Sequence, residues 1–396
     1  MTEQELQIKA LLSTQLNLNP ARYSLITQLY PNLFEAVKDK LQQILQLYAD
    51  LNMGRFSNEE NNNVETLGKI LSDKWLGKIK QFQWSNFSTN LEKFYSNLER
   101  DSINILDWSE MPEAWHFLPD APLLLYFQGN INSLILPALI SVVGSRNLQP
   151  YTQQIITKIF AGLEHSNLGI VSGLAIGVDT LAHETALKQN LTCIGIIGSG
   201  LDSNNFHPTN NLNLKKRIIE SGGLVLSEYP PGAKGMPYYF PQRNRLIASL
   251  GDFTWVVQAN LKSGSLITAN HAINYGKCVC TTPASVLDAY YAGNIKLLKE
   301  GAQVISEYED LTNLLQLTKP NLNFSIKNKT PKPKNIQFES EIAANIYAKL
   351  TYAPQSIEEI VLSTKLSVQQ LNTELSLMEL EGQVANIGQN MWVKLE

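Results

Sequence analysis

From residue 139 onward the chain repeats one pattern: a short apolar run, a turn rich in glycine or serine, then an amphipathic stretch of helical period. The runs are Leu139–Val143, Gly169–Ser172, Cys193–Ile197, Leu224–Ser227, Phe253–Val257, Cys278–Thr281 and Gln303–Ile305. Helical patterns lie between them near 150–163, 178–189, 210–221, 242–250, 264–275 and 293–300. Continuous apolar runs of this length read as strands covered on both faces. Strand and helix in strict succession make βαβ units. The fold class expected is therefore α/β: a doubly wound, mostly parallel sheet with helices on both faces. Such sheets bind ligands at the carboxyl ends of their strands.

The flanking segments read differently. Residues 1–101 are expected to form a helical N-terminal domain, because Leu41, Ile44, Leu45 and Tyr48 recur at three- and four-residue spacing. Trp75, Trp84 and Phe87 read there as core anchors. The sheet domain is expected over 102–317, and 318–335, with three prolines, five lysines and no acid, as a linker. Over 336–396 three helices are expected at Glu339–Leu350, Ser356–Leu362 and Ser367–Leu380, the second opened by a Ser356/Glu359 capping box. A hairpin of Gln383–Ile387 and Met391–Leu395 follows, and three helices plus a hairpin suggest a winged-helix module.

Several classes are excluded on composition. No stretch of 18 apolar residues occurs, so no membrane span is expected. The start MTEQELQIKALL lacks the layout of a secretion signal. Cys193, Cys278 and Cys280 are few, odd in number and without clustered histidines, which disfavours a disulfide framework or a metal site and points to a reducing, cytoplasmic setting. Cys278 and Cys280 alternate on a strand and read as packing residues. The chain carries a formal net charge of −4, unevenly spread: −5 over 1–139, +4 over 140–300 and −3 over 301–396. The basic middle third suits an anionic ligand.

Four strand ends open into small-residue turns ahead of a helix: Gly144-Ser145-Arg146, Ser172-Gly173 with Gly177, Gly198-Ser199-Gly200, and Ser263-Gly264-Ser265. Such turns let backbone amides and helix N-termini approach an anion. None is a Walker A loop and none carries the nicotinamide fingerprint, so no cofactor is expected. The densest signal is Phe240–Arg245, FPQRNR, behind Tyr238 and Tyr239. Arginine pairs with phosphate and aromatic rings stack on unpaired bases, a combination suited to a single strand. The alternative for either arginine is structural: capping a helix, or pairing with Glu228 or Asp252. Asp179 reads as a helix-start residue and His183 as a packing or surface residue.

These motifs together resemble the DNA-processing protein A (DprA/Smf) family. The resemblance rests on VGSR (143–146), SGLAIGVD (172–179), SEYPPG (227–232), FPQRNR (240–245), SGSLITA (263–269) and GNIKLLKEGA (293–302), in the family's order. His207-Pro208 with Asn211 looks like its Tyr-Pro-x-x-Asn segment, and 109–129 looks like the lead-in to its first strand. Gln258 stands where the family usually carries Glu, Thr282-Pro283-Ala284 replaces Val-Pro-Gly, and Pro237 stands at a position where members carry lysine, with Lys234 and Lys262 nearby. The resemblance implies an extended Rossmann-like domain, no catalysis and no metal. It also implies a dimeric cytoplasmic protein that binds single-stranded DNA, protects incoming transforming DNA, loads the RecA recombinase and helps displace single-strand-binding protein. Carried over by motif, the site comprises Gly144, Ser145 and Arg146, Ser172, Gly173 and Gly177, then Phe240, Arg243, Asn244 and Arg245, and finally Lys262, Ser263, Gly264, Ser265 and Thr268.

Two other readings compete. A Rossmann-like enzyme hydrolysing nucleoside monophosphates would need a catalytic acid, for which Asp179 and Glu228 are the nearest candidates. A transcription regulator led by the winged helix is opposed by charge. Residues 336–396 hold three basic residues against eight acids, and Ser367–Leu380 has no Lys or Arg. That module is expected to contact protein and not DNA.

Overall fold

The computed structural model describes residues 6, 9, 10, 13, 87–163, 167–319, 338, 340–351, 355–386 and 390–394. The helical reading of the N-terminal region, with Trp75 and Trp84, falls outside the described residues except for residues 6, 9, 10 and 13, which are helical, and the last helix, α1 (Phe87–Arg100). The seven expected strands all form. They are β3 (Ala138–Gly144), β4 (Leu168–Ser172), β5 (Thr192–Ile197), β6 (Leu224–Ser227), β7 (Phe253–Gln258), β8 (Cys278–Thr281) and β9 (Gln303–Val304). Ahead of them lie two more: β1 (Asn104–Asp107) and, after the single-turn α2 (Glu113–His116), β2 (Leu124–Gly129). The connecting helices are α3 (Pro150–Ala161), α4 (Val178–Lys188), α5 (Leu212–Glu220), α6 (Tyr239–Leu250), α7 (Ser265–Asn274) and α8 (Ala292–Lys299).

The strands form one nine-stranded sheet in the order β1-β2-β6-β5-β4-β3-β7-β8-β9. Strands from β6 across to β9 run parallel, while β2 pairs antiparallel with β6 and β1 antiparallel with β2. The chain starts in the middle at β3, winds outward to β6, then crosses to β7 and winds the other way. That is a doubly wound, Rossmann-like sheet with a switch point between β3 and β7.

Its two faces are visible in the side chains. Ile140, Val142, Phe253 and Trp255 pack with α3, α4 and α5. Leu139, Val143 and Val256 pack with α6, α7 and α8 on the other side. Period-two alternation therefore delivers apolar groups to both layers, which is why the strands read as continuous apolar runs.

A helix absent from the sequence reading, α9 (Tyr308–Thr318), closes the domain, its start fixed by reciprocal Glu307/Asp310 capping. Lys319, read as linker, is held instead: its Nζ lies 2.9 Å from Asp252 and donates to the Pro137 carbonyl at 2.7 Å. Residues 320–335, the rest of that segment, lie outside the described residues.

The C-terminal unit contains α10 (Glu341–Lys349), β10 (Gln355–Ser356), α11 (Ile357–Thr364), α12 (Val368–Leu380), β11 (Val384–Asn386) and β12 (Met391–Lys394). Its strands form an antiparallel sheet in the order β10-β12-β11. Ile346, Ile360, Leu371, Leu375 and Trp392 make a core of its own. Capping boxes at Ser356/Glu359 and Ser367/Gln370 start α11 and α12. Three helices with this small sheet are a winged helix. No helix among the described residues is long and apolar enough to cross a membrane.

Candidate nucleic-acid interface

A pocket of about 300 Å³ of empty space opens at the carboxyl ends of the central strands. Arg146 from the loop after β3, Gly173, Ala175 and Ile176 from the loop after β4, and Phe240 and Arg243 from α6 line it. His207 and Pro208, from the loop after β5, complete it. No carboxylate is among these lining residues. The pocket lies beside β4, not in the switch-point crevice itself, because Gln258 fills that crevice. The Gln258 carboxamide accepts from Gln149 N (3.1 Å) and Thr152 Oγ1 (2.8 Å) and donates to Asn147 O (2.8 Å). An ionised glutamate could not make the last bond, so here the amide serves where the family usually carries an acid.

The loops after β3 and β4 lock together. Val178 N donates to Ser145 O at 3.1 Å, and Gly177 sits at φ +93° against the backbone of Ser145 and Arg146. Gly144 abuts the Val178 side chain. Arg146 projects from this lock, exposed, with its guanidinium carbon 5.8 Å from the Phe240 ring centroid. Phe240 is half-buried, and its ring lies 5.5 Å from that of His207. The pocket thus has an aromatic wall with an exposed cation against it.

Arg243 is different in kind. It is 4% exposed, donates through Nη1 to Gly173 O at 2.6 Å and also to Ile196 O, and faces the buried carboxylate of Asp179. Burial lowers its pKa to about 10, partly offset by Asp179 and deepened by Arg146, so it stays charged at neutral pH. Asp179 accepts from the amides of Gly173 (3.1 Å) and Ala175 (3.3 Å). Burial raises its pKa, against the lowering by Arg243 and those amides.

This corrects the expectation of anion-seeking turns. The Ser172–Gly177 turn already holds a carboxyl group of the chain itself, that of Asp179. Ser145 N donates to Gln258 O (2.8 Å) and Gly200 N to Ala233 O (2.8 Å), so those amides are also engaged, as buried donors must be. The Ser172 hydroxyl donates to Val142 O at 2.6 Å and is fully buried. The amides of Gly173, Ala175, Ser145 and Gly200 are therefore already engaged within the chain, and the cations at the pocket are side chains.

Arg245 also departs from expectation. Its Nη1 and Nη2 meet both oxygens of Glu228 at 3.0 and 2.8 Å, Nη2 donates to Asp120 O at 2.8 Å, and Nε lies 2.8 Å from the Asp120 carboxylate. It is 4% exposed and does not line the pocket. Of the structural partners considered from sequence, Glu228 is the one used, while Asp252 pairs with Lys319.

The remaining expected residues cluster apart. Asn244 Nδ2 donates to Gly264 O at 3.4 Å, tying α6 to the turn before α7. Within that turn the Ser263 and Ser265 hydroxyls share a 2.7 Å bond, Thr268 is buried, and Lys262 and Gly264 are exposed. None of Lys262–Thr268 lines the pocket. His207, Pro208, Ala175 and Ile176 line it without having been assigned from sequence. Their position on loops at strand carboxyl ends was the available signal.

Beneath the pocket His183 is fully buried, and neither ring nitrogen has a well-formed hydrogen-bond partner. Burial, with Arg243 adding repulsion against a contact to the Ser172 backbone, lowers its pKa to about 3. It therefore stays neutral in the fold, while an unfolded histidine takes up a proton as pH falls through its ordinary value of 6.5. Stability is lost as pH falls from about 6.5 toward 3, by about 1.4 kcal/mol per unit. A His183→Leu variant, compared with the parent by urea unfolding at pH 7.5 and 5, should gain about 2 kcal/mol relative to the parent on acidification. Parallel pH profiles would refute this.

The model of the DNA recombination-mediator protein A family matches residues 103–316, more than half the chain, and that of the DprA winged helix domain matches 330–388. The DNA processing protein DprA of Streptococcus pneumoniae is 38% identical over 231 residues, spanning 58% of this chain and 78% of that one. Its Bacillus subtilis counterpart is 33% identical over 240 residues, spanning 58% and 80%. The X-ray structure of the Streptococcus pneumoniae protein superimposes with a TM-score of 0.56 at 31% identity, covering 71% of this chain and 96% of that one. With this sheet, this winged helix and these matches, the chain belongs to the DprA/Smf family of DNA recombination-mediator proteins.

Proposed function

We propose that this chain binds single-stranded DNA at the Arg146–Phe240 pocket and protects it, loading the RecA recombinase during natural transformation. The observation that carries this reading is the convergence of Arg146, Arg243 and the Phe240 ring on one pocket with no carboxylate among its lining residues. In this reading Arg146 holds a backbone phosphate and Phe240 stacks on a base. Arg243 adds positive potential from below while fixing the ends of β4 and β5. Asn244 and the Lys262–Thr268 turn extend the path along α6, Lys262 as an exposed cation. The protein acts in the cytoplasm as a homodimer, meets single-strand-binding protein on the same strand, and catalyses no bond cleavage. The division into 1–101, 102–317, 318–335 and 336–396 belongs to the same proposal.

Hydrolysis of a nucleoside monophosphate is disfavoured by where its candidate acids lie. Asp179 is engaged by two amides and faces Arg243, and Glu228 clamps Arg245. The winged helix serves protein contacts: α12 bears no Lys or Arg and exposes Leu377 and Leu380. An isolated 336–396 fragment should leave a DNA probe unshifted at physiological salt, and a shift would refute that role.

The pocket is tested by titrating labelled oligothymidylate with the full chain. Arg146→Ala should weaken binding and lower the salt slope by about 0.7, the loss of one phosphate contact on a single strand. Phe240→Ala should cost about 1–3 kcal/mol, the worth of a stacked base. Duplex should bind more weakly, and a free mononucleotide should be recovered intact. Unchanged affinity in both variants, or turnover of the mononucleotide, would overturn the proposal.

A further inference from the structure

We infer that His207 is a second phosphate-binding residue of this pocket, one whose charge makes single-strand affinity depend on pH. The inference rests on the single-strand reading above. Its physical basis is placement. The His207 ring lies 5.5 Å from the Phe240 ring, tilted by 57°, while Arg146 approaches the same ring at 5.8 Å. Rings this close leave no room for a base between them, so the imidazole and Phe240 form one wall, with Arg146 as the second cation on it. His207 is exposed, while its backbone N–H is fixed by Ser199 Oγ at 3.0 Å.

The groups around it are mostly cationic or already engaged. Arg146 comes from the loop after β3 and Arg243 from α6; Gly173, Ala175 and Ile176 from the loop after β4 bring no charge. Gly235 lies against the His207 Cβ, with Lys234 exposed beside it. Asp202, on the loop of His207 itself, has its carboxylate bound by Gly232 N (2.7 Å) and Asn205 Nδ2 (2.5 Å). An imidazolium here has no free carboxylate on the wall to pair with, and a bound phosphate supplies that partner. Binding and protonation then reinforce each other: the phosphate raises the histidine's proton affinity, and acid raises affinity for the strand. Contact at an exposed position is screened, so the gain is modest.

The test is anisotropy of labelled oligothymidylate, whose bases do not titrate in the range used, with the full chain at pH 5.8 and 8.2 and constant ionic strength. The parent should bind roughly two- to fivefold tighter at the lower pH. His207→Gln should show no gain in affinity between pH 8.2 and pH 5.8. An NMR titration of the imidazole signal that this variant lacks should show its midpoint rising when oligothymidylate is added. Full retention of the acid gain in His207→Gln, or an unmoved midpoint, overturns the inference. Arg146→Ala in the same assay separates the two ideas. If it binds like the parent at both pH values, the pocket reading fails. If it binds weakly while His207→Gln keeps the acid gain, the pocket stands and only the role of His207 falls.

Discussion

Arg243→Ala should lower folding stability by about 3 kcal/mol, a loss that precedes any effect on DNA binding. Arg243 and Asp179 are 4% and 6% exposed, so removing the cation leaves a buried carboxylate without its compensating charge. The carbonyls of Gly173 and Ile196 lose their donor at the same time. Asp179 keeps its two amide donors, which places the loss near the low end of what breaking a buried charge pair costs. The sign with pH follows. Burial already raises the Asp179 pKa, and without Arg243 it rises further. The deficit is therefore smallest in acid, where the native carboxyl is protonated with or without Arg243, and grows as pH rises. Urea unfolding of the parent, Arg243→Ala, Asp179→Asn and the double variant forms the cycle that measures this. The double variant should recover more than half of the single loss. A loss below about 1 kcal/mol, or no recovery, would mean that the two charges are not coupled. One practical result is that Arg146, which is exposed, and not Arg243, is the position at which pocket chemistry can be probed in an intact fold.

The contrast between Arg243 and Arg245 shows what the sequence could carry. FPQRNR reads as one cationic cluster, yet it lies within a helix, where residues two apart point about 200° from each other. Phe240 and Arg243, three apart, share the pocket face, and Arg245 turns away to Glu228 and Asp120. Helical period alone contained that division. The parallel strands were legible because burial on both faces writes itself as an apolar run. The antiparallel extension was not, because 102–129 is broken by Pro112, Pro119 and Pro122 and one-turn helices, and because β2 finds its partner β6 about a hundred residues away. Local pattern carries no record of such a pairing. The engagement of the turn amides was hidden for a related reason: Asp179 could be read as a helix-start residue, but not as the carboxyl group that occupies the turn before it. His207 shows the same limit from the other side, since its approach to Phe240 joins the loop after β5 to the start of α6.

Gly177→Ala should be more damaging still, at about 4 kcal/mol, and it connects the fold directly to Arg146. Gly177 has φ +93° and ψ −126°, a region that side chains avoid at a cost of about 1–3 kcal/mol. An added Cβ would also lie 2.3 Å from Ser145 O and 2.7 Å from Arg146 Cα. These are backbone atoms, which cannot rotate aside, so the loop after β3 must shift or the start of α4 must retreat. Overpacking of this kind adds about 1–3 kcal/mol. Gly232→Ala is the control, because Gly232 has a similar φ of +88° but nothing within 4 Å of the added carbon. It should show the backbone strain alone, about 1 kcal/mol. Thermal or urea unfolding of the pair separates collision from strain, and equal losses would refute the interlock of the two loops. Where Gly177→Ala remains folded, its affinity for oligothymidylate should fall toward that of Arg146→Ala although no pocket side chain has changed. The cation is placed by the packing of one loop backbone on another, so moving that backbone should act as a change in the cation itself.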